Sequence, residues 1–212
     1  MKRREFNQAL QRSAIALALA PWLKAVAQPA NAARAWVNNP FALGVASGRP
    51  RADSVVLWTR LLFGTEDRAA GTEALRVQVE VFADAALKRR VQKTDVVTDA
   101  ARGHSVHVHV QHLQPSTDYW YRFAQGAAFS AVGHTRTAPA LNADVRELRI
   151  ALSSCQHYEQ GQYIAHAEIA KQSLDFVLFM GDYIYESSNP QYAIRKHVGE
   201  EPKTLPQYRE RY

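Results

Sequence analysis

Three residue types that bind metals as anions stand near two strand ends in this sequence. Cys155 is the only cysteine in the chain. Asp182 follows Gly181, and Tyr185 stands three residues further on in Gly181-Asp182-Tyr183-Ile184-Tyr185-Glu186. A thiolate and a phenolate are donors that suit a trivalent iron, and a carboxylate with two oxygens can bridge two cations. A bound cation lowers the pKa of the thiol and the phenol, so both bind deprotonated. Singly, each residue has a plainer reading: a small buried hydrophobe, a turn cap, a packing aromatic. Together at adjacent strand ends they point to a metal site. His157, Tyr158 and Tyr183 lie close in sequence, and nothing there assigns them a role or names a catalytic residue.

The elements that must position these residues are readable. Residues 148–152 form a short apolar run, 162–171 have helical spacing, and 175–180 are nearly continuous in apolar side chains. That order predicts a parallel strand–helix–strand unit, the second strand covered on both faces. A right-handed crossover puts both strand ends on one sheet edge, where open α/β sheets keep their ligands.

Upstream the period is two. Residues 54–61, 75–82, 105–112 and 119–123 alternate, 91–97 do so more weakly, and 129–135 close the set, with turn residues between. This predicts an all-β sandwich over residues 36–138. Leu113 to Tyr121 resembles the tyrosine-corner stretch of fibronectin type III domains, in which a Tyr hydroxyl caps upstream backbone. His107 and His109 share a strand face opposite the valines, which predicts that they face solvent. Residues 138–145, with a proline and small side chains, read as a linker.

The N-terminus is an address. Residues 1–27 run from Arg3-Arg4 and Phe6 through an apolar stretch at 14–23 to Ala25-Val26-Ala27, the layout of an export signal of twin-arginine type. The expected partner is the twin-arginine translocase, and the expected location periplasmic or secreted. The apolar stretch is far short of the ~20 residues that span a bilayer, so no stable membrane anchor is expected. The chain carries 26 basic and 20 acidic residues, a net charge of +6. Cleavage after Ala27 would remove five of the former and one of the latter, leaving 21 against 19. At +2, with no long like-charge block, no nucleic-acid partner is expected.

The combination carries a family resemblance. Ser154-Cys155-Gln156, the Gly181–Glu186 stretch, the twin-arginine signal and a preceding sandwich are similar to the PhoD-type alkaline phosphatases of the calcineurin-like metallophosphatase superfamily. Residues 39–48 (Asn-Pro-Phe-Ala-Leu-Gly-Val-Ala-Ser-Gly) and 56–60 (Val-Leu-Trp-Thr-Arg) also resemble that family's N-terminal domain. The resemblance implies a fibronectin type III-like β-sandwich followed by the start of an α/β metallophosphatase domain, residues 146–212. It implies Fe3+ and Ca2+ in the site, with Cys155 and Tyr185 on the iron and Asp182 bridging iron and calcium. The implied reaction is hydrolysis of phosphomonoesters and phosphodiesters. The family's further metal motifs do not occur here, and no Asp follows Asp182. The chain therefore reads as an N-terminal fragment, expected to be inactive alone and aggregation-prone at its open sheet edges. Two other readings stay open: a non-catalytic exported binding module, and a metallophosphatase with a different two-metal site.

Overall fold

In the computed structural model, residues 34–212 are described. The expected signal at 1–27 lies outside them. Strands β1 (Val45–Gly48), β2 (Val55–Arg60) and β5 (Ser105–Val110) form one antiparallel sheet in the order β1-β2-β5. Strands β3 (Leu75–Phe82), β4 (Arg90–Thr98) and β6 (Asp118–Gln125) form the second, with β7 (Ala128–Phe129) and β8 (Gly133–Arg136) both pairing β6.

Alternation puts one face of each strand between the sheets. Leu57, Val77, Val79, Val106, Tyr121 and Phe123 are buried in a single core. This is the expected sandwich. His107 and His109 alternate with the buried valines of β5 and are exposed. The tyrosine corner is present: the Gln114 amide donates to the Tyr119 hydroxyl at 2.9 Å.

A buried charge sits on β3. Glu80 is 4% exposed, and its carboxylate accepts from Arg90 at 2.6 Å and Arg122 at 2.9 Å. Burial alone would raise its pKa, but the two guanidiniums outweigh that and hold it below the ordinary 4.5. A lowered folded-state pKa gives stability above the unfolded value that is lost as pH falls through the folded one. Glu80→Gln is therefore expected to lower the unfolding free energy by about 1–2 kcal/mol at neutral pH. The gap between variant and parent should close on acidification below 4.5, read by thermal unfolding against pH.

The second unit holds β9 (Ile150–Ser153), helix α1 (Ile164–Ile169) and β10 (Phe176–Phe179), followed by helix α2 (Leu205–Arg211). β9 and β10 pair in parallel, Phe176 opposite Ile150 and Phe179 opposite Ser153. One expectation fails: β10 is not covered on both faces. Val177 and Leu178 are 46% and 49% exposed, and Leu152 on β9 is 60% exposed. The sheet here has two strands and one short helix, which is too little to lie over both faces. No helix among the described residues is long and apolar enough to cross a membrane.

Candidate metal centre

Parallel register does most of the positioning. Backbone bonds continue past the strand ends: Met180 N to Ser153 O at 2.8 Å, Cys155 N to Gly181 O at 3.1 Å, and Gln156 N to Asp182 O at 3.2 Å. The two loops thus run side by side. Cys155 and Asp182 both adopt left-handed backbone, with φ of 56° and 53°, beside Gly181 at 133°. A non-glycine residue there costs about 1–2 kcal/mol. Strain of that kind gathers where a loop must aim a functional side chain.

The aim is mutual. Cys155 Sγ lies 3.5 Å from Asp182 Oδ2, and the Tyr185 hydroxyl donates to the same oxygen at 3.1 Å. All three residues singled out from the sequence therefore meet at one carboxylate oxygen. Cys155 and Asp182 are exposed, while Tyr185 is half-buried. Cys155, then burial, then Asp182 raise the Tyr185 phenol above its ordinary value. Acidic groups set this close are what a bound cation would relieve. The donor set fits a metal: one sulfur and two kinds of anionic oxygen, open to solvent. It does not complete a calcium shell, which takes 6–8 oxygens. Among the described residues, no three His, Cys, Asp or Glu side chains converge on a point.

Two supporting residues, Glu159 and Arg211, had no sequence signal. Glu159 is 1% exposed in a 3-10 turn, Tyr158–Gln160. Its carboxylate accepts from Ser188 Oγ at 2.8 Å, Asn189 N at 3.0 Å and His197 N at 3.2 Å. Burial would raise its pKa, but these donors, led by Ser188, more than offset that and keep it lowered. Glu159 thus ties the loop after Cys155 to the segment 188–197. Its own amide donates to His157 Nδ1 at 3.2 Å, which fixes an imidazole whose ring centre is 4.7 Å from that of Tyr185. Arg211, at the end of α2, donates to the carbonyls of Tyr185 and Glu186, each at 3.3 Å. A cavity of about 190 Å³ opens beside the cluster, lined by Gln156, Tyr163, Tyr183, Tyr185, His197 and Arg211, among others.

Comparison with known proteins shows the family of the chain. Residues 26–139 match the family model described as PhoD-like phosphatase, N-terminal domain, and residues 150–212 match the PhoD-like phosphatase model. Alkaline phosphatase D of Bacillus subtilis (strain 168) is 42% identical over 191 residues, covering 86% of this chain and 32% of that protein. A solved structure of PhoD is similar with a TM-score of 0.79 at 40% identity, covering 84% of this chain and 35% of that one. The chain thus spans about a third of the length of these relatives.

Proposed function

This chain belongs to the PhoD-like phosphatase family, and on that premise we propose that it supplies part of the metal centre of an exported phosphoric ester hydrolase. The observation that carries the reading is the meeting of Cys155, Asp182 and Tyr185 at one oxygen on the edge where both parallel strands end. Cys155 and Tyr185 would hold Fe3+, and Asp182 would bridge it to Ca2+. Bound there, the ions would polarise a phosphoryl oxygen and activate water for in-line attack on phosphomonoesters and phosphodiesters. The chain's own part is to present the three donors on strained loops fixed by parallel backbone pairing, and to brace His157 against Tyr185 through Glu159. Three donors leave most of a multi-metal shell unfilled, so the 212-residue chain alone would not turn over substrate. Export would follow the twin-arginine route through residues 1–27.

The test is metal analysis and ester hydrolysis on a longer protein that carries this chain. Iron together with calcium, and hydrolysis of p-nitrophenyl phosphate and its bis ester, are expected. Two like ions without calcium would favour the other two-metal site. Clear turnover by the 212-residue chain would overturn the claim that it is inactive alone.

A further inference from the structure

The outer face of β2 should be wet, yet Trp58 and Arg60 are only partly exposed. Helix α2 lies over them. Arg60 Nη1 donates to the Arg209 carbonyl at 3.2 Å, in the last turn of α2, and Arg60 Nε donates to Gly103 O at 3.1 Å. A cation suits that end of a helix, where carbonyls lack partners. Arg209 returns the contact, donating to Ala101 O at 2.9 Å. Tyr212 packs edge-on to Trp58 at 6.1 Å and takes the Arg60 guanidinium over its ring at 5.8 Å. Burial, then the like charge of Arg209, lower the Arg60 pKa, and the two cations sit close because each is bound to its own carbonyls, Arg60 to Gly103 and Arg209, Arg209 to Ala100 and Ala101.

The other side of the same helix grips the loop that carries Asp182 and Tyr185. Tyr212 stacks on Tyr183 at 5.4 Å and 24°. Tyr208 donates to Glu186 Oε1 at 2.6 Å. Arg211 binds the carbonyls of Tyr185 and Glu186 with one nitrogen, and Glu200 O at 2.8 Å with the other. Thr204 and Gln207 close a capping box that starts the helix. Residues 183, 185 and 186 are thus each held by α2 or by Tyr212 just after it, and both are held by the sandwich.

We infer that the sandwich acts on the metal centre: Arg60 docks α2, and Arg211 is a positioning residue that sets the Tyr185 backbone. This rests on the reading of Cys155, Asp182 and Tyr185 as metal donors, and it adds a role for the N-terminal unit beyond folding on its own. The contact is short-range and polar, so loss of either arginine should loosen residues 182–186 without unfolding the sheets.

The experiment measures amide hydrogen exchange in the 212-residue chain and in Arg60→Met and Arg211→Met, which keep the aliphatic stems. Exchange at the Cys155 and Gln156 amides, which donate to Gly181 O and Asp182 O of that loop, is expected to speed up about tenfold in both, since the loop loses bonds to a charged donor. Strands β3 and β6 should keep parental rates. Arg211→Lys, which retains one donor, should fall between. The second readout is visible absorption after addition of Fe3+, where a tyrosinate–iron band should shift or fade in both Met variants. Parental exchange at the Cys155 and Gln156 amides in Arg60→Met overturns the inference, as does faster exchange spread equally through β3 and β6. Absence of any such band in the parent chain strikes the metal reading instead, and leaves the exchange result to decide the coupling.

Discussion

Asp182→Asn is expected to lower metal content and ester hydrolysis together in a longer protein that carries this chain. The change is nearly isosteric, and the neutral side chain can still accept the 3.1 Å bond from the Tyr185 hydroxyl. What it removes is the charge at the point where Cys155 and Tyr185 converge. Losing even an outer partner of a metal ligand costs about 10–100-fold in affinity or activity, so losing the shared ligand should cost at least about 100-fold. Folding should be spared, because Asp182 is exposed on a loop. Metal per chain and kcat on p-nitrophenyl esters measure the effect. A variant with parental metal content would remove Asp182 from the centre, whatever its activity.

The largest effect on stability is expected from Gly133→Ala. Gly133 lies on β8 opposite Tyr121 of β6. A Cβ there would stand 2.3 Å from Tyr121 Cζ and 2.6 Å from its hydroxyl oxygen. Tyr121 has no free space to swing into: it is 1% exposed and packed within the core. The strand must shift or the ring must leave its place, and overpacking of this kind costs about 1–3 kcal/mol. Each kcal/mol lowers the Tm of a domain this size by roughly 4–8 °C. Pairing Gly133→Ala with Tyr121→Val should relieve the clash, so the double variant should lose less than the two single losses summed. A parental Tm for Gly133→Ala would mean that β8 gives way freely.

Much of this was written in the sequence, and the gaps have physical causes. β3 was readable to its ends because valines alternate with polar residues from Leu75 onward. Tyr119 was readable because a tyrosine corner is local: its partner, Gln114, is five residues away. β1 was missed. Val45-Ala46-Ser47-Gly48 has no alternation and exists as a strand because β2 offers it an edge. Residues 129–135 read as one strand but form the end of β7 and the start of β8. Ser130 bonds back to Phe123 through both its amide and its hydroxyl, at 2.9 Å each, and breaks the run. The apolar composition of 175–180 correctly gave a parallel strand and wrongly gave it two covered faces, since composition records what a strand tolerates and not what lies over it. Cys155, Asp182 and Tyr185 were legible because strand ends fix where a loop begins. Glu159 and Arg211 were not. Glu159 binds groups 29–38 residues away, and Arg211 binds backbone carbonyls, which look alike in any sequence.

The linker has a consequence for how such chains can vary. Hydrogen bonds follow the chain out of the sandwich as far as Ala138, whose amide donates to Arg51 O and whose carbonyl accepts from Ser116 N. From residue 139 to 150 every residue is exposed, Leu141 at 98%. The slack between the two units therefore lies in one tether, while their docking contacts lie elsewhere, α2 on β2 and Arg136 of β8 on Asp175 at 3.8 Å. Doubling a flexible loop costs only about 0.6 kcal/mol. Insertions here would change the length of the leash and leave the mooring alone, which makes this stretch the natural seam for joining the sandwich to a different partner.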